Sequence, residues 1–294
     1  MQDTLIYRLR VPNIVGTSLL ALTGLVLAMR QPSSFNLGGI LLIILSMVFF
    51  NIYIWVSNDY YDAPYDAYDE YKKTRNVFCS EPETLEYKIG NFLIWISLIA
   101  GLLCGLFAGI PYFMFTVAGM LLAYLYNSPV FRAKSRVAFD WIFHVIWFQI
   151  TFLPLYLYIF GLNVIWGFEK EHIQFYGIFL YISVFSLLAQ INHQIPDYHI
   201  DLQTKQRTTV VALGIENTIK LRYIFYFFIS IAALVICLIN GTFIALVLMV
   251  GYTMYLLKTD RTKAADAPLP WLYFFIIDYI IISPLLIAIF EFLQ

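Results

Sequence analysis

Asn58-Asp59-Tyr60-Tyr61-Asp62-Ala63-Pro64-Tyr65-Asp66-Ala67-Tyr68-Asp69 carries carboxylates at i, i+3, i+7 and i+10. On an α-helix turning about 100° per residue, these four fall within an arc of about 80°. Pro64 allows a local break or kink in that face. Like charges stacked this way repel by about 0.2–0.5 kcal/mol per pair even when exposed, so the face calls for a cation. Hard oxygen donors without a neighbouring His or Cys suit Mg²⁺, which takes one or two carboxylates and fills its shell with water and phosphate oxygens. A second cluster reads Asn192-His193-Gln194-Ile195-Pro196-Asp197-Tyr198-His199-Ile200-Asp201, followed by Lys205, Arg207, Thr208 and Thr209. Asp197 and Asp201, at i and i+4, can share a helix face. Lys205 and Arg207 offer cations for phosphate oxygens. One D-x-x-x-D is ordinary in a solvated loop; two clusters at matched positions point to a diphosphate site built on two metal ions.

The elements that must hold these clusters are membrane helices. Of 294 residues, 61% are hydrophobic, 18% aromatic and only 13% charged. Soluble domains carry about 25% charge, and a disordered chain would not carry this apolar content. A span needs about 20 apolar residues in helical form, because lipid satisfies no open backbone group. Nine such stretches occur, at about 12–29, 37–57, 90–109, 111–127, 139–161, 173–194, 223–240, 242–257 and 270–292. The fold class expected is therefore an all-α polytopic membrane protein, with residues 1–294 forming a single integral-membrane domain. Gly109-Ile110-Pro111 makes the third and fourth spans a tight hairpin, and Gly241 does the same for the seventh and eighth. Arg8 and Arg10 ahead of the first span resemble a signal-peptide flank, but the run is long, lacks an A-x-A site and precedes eight more spans.

Nine spans put the termini on opposite sides. With the N-terminus in the cytoplasm, segments 59–89, 128–138, 195–222 and 258–269 are cytoplasmic too. Of the eighteen Lys and Arg residues, only Arg30 and Lys170 then lie outside, as the positive-inside rule requires. The active-site loops are expected on the cytoplasmic face and the C-terminus opposite. Spans 1–4 and 5–8 each show a carboxylate-rich segment after the second helix and a basic segment after the fourth (Arg132/Lys134/Arg136 and Lys258/Arg261/Lys263). This parallel repeat, two four-helix halves plus a ninth helix, places a shared site where the halves meet. A net charge of −1 argues against a nucleic-acid binder. Cys79, Cys104 and Cys237 have no ligand or disulfide spacing.

Asn58-Asp59-x-x-Asp62-x-x-x-Asp66 resembles the N-D-x-x-D-x-x-x-D signature of the UbiA-type intramembrane prenyltransferases. Asp197-x-x-x-Asp201, with Thr208 and Leu213-Gly214 behind it, is similar to their second motif, and the nine-span layout extends the resemblance over essentially the whole chain. It implies a helical bundle around a central cavity open to lipid. It further implies that Asp59, Asp62, Asp66, Asp197 and Asp201 hold Mg²⁺, two ions in all, on a prenyl diphosphate, with Asn58 as polar support. Tyr126-x-Ser128-Pro129-x-x-Arg132-x-Lys134 looks like the family loop whose cations face the diphosphate, and Asn13 like a family Asn facing the cavity. Two departures stand out. Lys72-Lys73-Thr74-Arg75-Asn76-Val77-Phe78 replaces an Arg-Pro-rich segment, and Lys205 replaces a Gly. Ile195-Pro196-Asp197 with Thr208-Thr209 looks more like members that prenylate carotenoids, such as lycopene elongases, than ring-prenylating quinone enzymes.

The chemistry implied is ionisation of an allylic C–O bond where water cannot quench the cation, with Asp62, Asp66, Asp197 and Asp201 central to catalysis. Metal ions and basic side chains would neutralise the leaving diphosphate. Aromatic faces would steady the carbocation, Tyr61, Tyr65 and Tyr198 being the ones inside the motifs. The partners expected are the prenyl diphosphate, a lipophilic acceptor and membrane lipid, with no nucleic acid and no obligate protein partner. The acceptor is a carotenoid-type polyene, a quinone-precursor ring or a glycerol-phosphate lipid. Asn192, one turn above the second motif, supports the diphosphate or metal shell or makes a polar helix contact. Asp140 reads as interfacial, His144 and His172 as incidental, Gln149 as a packing contact, and Asp278 as a cavity or helix-contact residue. The rival class is a secondary transporter, but its ionisable groups would lie near the midplane, whereas these cluster at one membrane face.

Overall fold

The computed structural model describes residues 4–28, 36–168 and 170–240, which form ten α-helices joined by short 3₁₀ turns, with no strand among the described residues. A one-turn α1 (Leu5–Arg8) leads into α2 (Val11–Ala28), α3 (Leu37–Asp66), α4 (Glu70–Arg75), α5 (Leu85–Ala108) and α6 (Ile110–Asn127). Then come α7 (Phe139–Phe160), α8 (Lys170–Gln203), a short α9 (Thr209–Leu213) and α10 (Ile215–Asn240). Five are long and apolar enough to cross a membrane: α3, α5, α6, α7 and the Phe175–Gln203 part of α8. Together with α2 and α10, these match the first seven predicted spans. The spans expected at 242–257 and 270–292, Asp278 and the basic segment at 258–263 lie outside the described residues.

Two helices outrun their predicted spans in the same direction. The apolar stretch of α3 stops near residue 57, yet its helix continues to Asp66; that of α8 stops near 194, yet its helix continues to Gln203. Each carries a proline inside, Pro64 or Pro196, and neither stops the helix. The carboxylate motifs are therefore the last turns of long helices, which hold their side chains more rigidly than loops would. Asp69 leaves the predicted face: it caps α4, its side chain accepting the amides of Tyr71 and Lys72.

Packing pairs the helices alike in both halves. α3 lies against α5 as α8 lies against α10, and α2, the first helix of one half, lies along α7, the first of the other. Small residues let α3, α5 and α6 approach closely. Ser46 Oγ donates to the Gly101 carbonyl at 2.9 Å and lies 2.7 Å from Thr116 Oγ1. The hairpin between α5 and α6 turns on Gly109 (φ +132°), a conformation open to glycine, with Pro111 in the first turn of α6 as expected. The central core joins Met47, Phe50, Phe152, Tyr156, Phe185 and Leu188, all under about one-twentieth exposed.

Candidate active site

Both motif helices end on the same side of the bundle, where short polar segments fold over them. Asp62 is the hub. Lys134 Nζ lies 2.6 Å from its Oδ1, and Arg132 Nη2 lies 3.2 Å from the same atom. Lys134 Nζ also donates to Asn58 Oδ1 at 2.9 Å, so the motif asparagine and aspartate share one ammonium. The loop after α6 reaches them because Arg132 adopts a left-handed backbone (φ 47°) that folds the chain back. Asn127, fully buried, braces the turn: its side chain faces Ser57 Oγ and Lys134 Nζ, each at 3.4 Å. Burial pulls the Lys134 ammonium below its ordinary range, with Asp62 opposing. The Arg132 guanidinium also covers the Tyr65 ring at 3.9 Å, which removes that aromatic face from any other cation.

Asp66 and Asp201 are mostly buried and each is held by a neutral donor. Asn76 Nδ2 donates to Asp66 Oδ2 at 2.8 Å and to the Asp59 carbonyl at 2.8 Å; Thr208 Oγ1 donates to Asp201 Oδ2 at 3.2 Å. Asp197 crosses to the other half, its Oδ1 lying 2.8 Å from Lys72 Nζ on α4. Burial depresses the Lys72 ammonium, but Asp197 and the first-motif aspartates outweigh it, and the net shift is upward. Asp59 has another commitment. Arg10 grips both its oxygens, with Nε at 3.1 and 2.8 Å and Nη2 at 2.8 Å, in a pair almost wholly buried.

Of the residues singled out from sequence, the structure thus gathers Asn58, Asp62, Arg132 and Lys134 directly. Asp66, Asp197 and Asp201 lie on the two flanking helix ends. Asn13 is buried in α2, and Asn192 is half-buried on α8. Lys205 and Arg207 are exposed on the turn between α8 and α9 and are not brought to the carboxylates. Asp140 is not interfacial: it is fully buried and accepts from Gln194 Nε2 (2.8 Å), the Thr209 amide (2.7 Å) and the Trp141 amide (3.0 Å), as well as from Thr209 Oγ1. It pins the chain after the second motif to the start of α7. Gln149 does more than pack, donating to the Phe179 carbonyl and Ser183 Oγ on α8. His144 is buried with Nδ1 2.8 Å from Ser186 Oγ, and His172 Nε2 lies 3.1 Å from the Asn163 carbonyl.

Arg10, Lys72 and Asn76 were missed. Each belongs to a segment whose charge or departure from pattern was visible, but nothing in linear spacing names its partner 49, 125 or 10 residues away.

The donor set is all oxygen. No three His, Cys, Asp or Glu side chains converge on one point among the described residues. That fits Mg²⁺, which needs few protein carboxylates when phosphate completes its shell, and fits poorly a metal requiring a closed protein cage. The Ser128 hydroxyl, beside Asn127, is buried without a hydrogen-bond partner among the described residues, a donor available to a bound oxyanion. Deeper between α3, α6 and α7, Ile54, Leu122, Tyr126, Phe143, His144 and Trp147 line an apolar cleft. Tyr126, at its rim, adjoins Asn127 and accepts from Gln190 Nε2 at 3.1 Å.

A model of the UbiA prenyltransferase family matches residues 18–278. Among solved structures, a UbiA homologue from Archaeoglobus fulgidus bound to GPP and Mg²⁺ superposes with a TM-score of 0.70 at 16% identity, covering 98% of both chains. The same homologue bound to DMAPP and Mg²⁺ gives 0.66 at 14% identity, over 97% of this chain and 98% of that one. A digeranylgeranylglyceryl phosphate synthase gives 0.59 at 20% identity, over 98% and 99%. No curated protein matches by sequence.

Proposed function

The chain belongs to the UbiA prenyltransferase family and is an integral-membrane prenyltransferase, and from that premise we propose that it moves a prenyl group from an allylic diphosphate to a lipophilic acceptor. The observation that carries this reading is the convergence on Asp62 of Lys134 and Arg132, with Asp197 tied across the halves by Lys72. Four carboxylates and three basic side chains at one end of an apolar bundle suit a diphosphate and its counter-ions better than a neutral ligand. The GPP and DMAPP complexes of the archaeal homologue support the same donor class and Mg²⁺. We place the site on the cytoplasmic side of one integral-membrane domain, because the basic segments gather there.

Asp62, Asp66, Asp197 and Asp201, with Asn58, would hold Mg²⁺, two ions in our reading. Bound there, the metal supplies Lewis-acid neutralisation of the diphosphate oxygens. The chain's own groups do the rest. Lys134 and Arg132, preset beside Asp62, meet the negative charge that grows on the leaving diphosphate as the allylic C–O bond breaks, and being already oriented they lower the barrier without reorganising. The Ser128 hydroxyl adds a donor. The aromatic side chains between α3, α6 and α7, Tyr126, Phe143 and Trp147, would offer ring faces to the cation. Acceptor π electrons then form the new bond, and a proton leaves to a motif carboxylate or to the diphosphate.

For the acceptor we favour a carotenoid-type polyene, on the strength of Ile195-Pro196-Asp197 and Thr208-Thr209; a quinone-precursor ring or a glycerol-phosphate lipid is the competing choice. The test is incubation of the purified protein with Mg²⁺, labelled geranylgeranyl, farnesyl and dimethylallyl diphosphates, and a membrane lipid extract. A prenylated polyene identified by mass supports the full reading. Transfer only to a ring or a glycerol phosphate overturns the acceptor, and no diphosphate release from any donor overturns the reaction.

A further inference from the structure

Arg75 ends α4 with its side chain buried, only 9% exposed, and with its Nε sealed from solvent and without a hydrogen-bond partner among the described residues. Among the described residues no ion pair includes it. Its guanidinium carbon lies 4.9 Å from the centre of the Tyr7 ring. A ring face attracts the charge but accepts little from five N–H donors. The nearby carboxylate, Asp59, has both oxygens engaged by Arg10. Burial, and after it the charge of Arg10, push Arg75 down to about 10. A buried guanidinium in such company costs stability until an anion joins it.

Around it the fold is built rather than loose. α1 is fastened over α4 and the turn behind it by Arg8 Nη2, which donates to Ser80 Oγ at 2.8 Å. The Tyr7 and Tyr71 hydroxyls lie 3.3 Å apart, with Tyr71 38% exposed. Since one hydroxyl donates to the other, the pair leaves one O–H donor, which with the guanidinium forms a donor set of the kind that binds phosphate or carboxylate oxygens. The place adjoins the first motif: Asp59 and Arg10 both act on Arg75, whereas the cations nearest Asp62 are Lys134, Arg132 and Lys72.

We propose that Arg75, with the hydroxyls of Tyr7 and Tyr71, forms a second oxyanion site beside the first aspartate motif, taking a phosphate or carboxylate group carried by the acceptor or by a membrane lipid. A polyene has no such group. Occupancy by the acceptor would therefore select an anionic acceptor, and occupancy by lipid would leave the polyene reading intact.

The test uses the full chain in phosphatidylcholine nanodiscs with EDTA, so that metal-dependent binding at the donor site does not contribute. Inorganic phosphate is expected to raise the Tm of the wild type in a saturable way and to leave Arg75→Gln unmoved. Without anion, Arg75→Gln is expected to melt at or above the wild type, because it removes an unpaired buried charge; a structural arginine would give the opposite. Exchanging phosphatidylcholine for phosphatidic acid, without free phosphate, reads the lipid arm: a wild-type-only rise assigns the site to a headgroup. With Mg²⁺ and donor present, a tenfold or greater rise in KM for an anionic acceptor in Arg75→Gln, at unchanged donor KM, assigns it to the acceptor. Three results overturn the proposal: no anion-dependent shift in the wild type, an equal shift in Arg75→Gln, or a variant whose main defect is a raised donor KM. The first two are read independently of whether the prenyl-transfer assignment holds, and the third rests on that reading.

Discussion

Lys72 and Asp197, 125 positions apart in the chain, meet at 2.8 Å across the two halves of the bundle. The ammonium follows the first motif and the carboxylate opens the second, so this contact couples the segment over one motif helix end to the other helix end. Both side chains keep partial exposure, 27% and 19%, so the pair adds little to global stability and more to the position of the segment.

Lys72→Met is therefore expected to raise the donor KM about tenfold, about 1.4 kcal/mol of binding, while Tm changes little. Steady-state diphosphate release against donor concentration checks it. An unchanged KM would show the contact to be incidental.

Asp62→Asn and Asp197→Asn are expected to lower Mg²⁺-dependent diphosphate release by about 10²-fold or more, the scale of removing one preset electrostatic group from a transition state. Asp62→Asn strips Lys134 and Arg132 of their shared carboxylate, so its melting curve must accompany the rate. Normal turnover by either folded variant contradicts the assigned site.

Asn76→Ala removes a fully buried side chain that holds the Asp66 carboxylate, the Asp59 carbonyl and, through its Oδ1, the Phe78 amide at 2.9 Å. A loss of about 1–3 kcal/mol is expected from the donors and acceptors left unpaired. Denaturation of the detergent-purified protein measures it, and the Mg²⁺ concentration for half-maximal activity should rise because Asp66 loses its orientation.

Asp140→Ala leaves the Thr209 amide and the Gln194 side chain without their acceptor in a buried setting. A destabilisation of about 2–4 kcal/mol is expected. Because the break lies between α7 and the chain behind the second motif, limited proteolysis should cut near residues 204–209 sooner than in the wild type. An unchanged digestion pattern would show that Asp140 does not hold this connection.

Chelation by EDTA is expected to abolish diphosphate release, and Mg²⁺ to restore it. Zn²⁺ should not substitute, since the oxygen-only donor set lacks the nitrogen and sulfur ligands it favours. Full activity in EDTA would remove the metal from the reaction.

The sequence by itself determined the membrane environment, the helical class and the two carboxylate motifs. Those properties are local: an apolar run must hydrogen-bond its own backbone, and residues at i, i+3, i+4 or i+7 share a face whatever the helix packs against. Asp62, Asp66, Asp197 and Asp201 were legible on that ground, as was the Gly109 hairpin. How far the motif helices extend was not, because apolar content falls off before helical hydrogen bonding does. Only the tertiary structure decided which cation meets which carboxylate. It gave Asp59 to Arg10, Asp62 to Lys134 and Arg132, and Asp197 to Lys72, left Lys205 and Arg207 exposed, and buried Asp140 and Arg75. Charge pairing acts through space at a few ångströms, and the chain distance between partners carries no trace of it.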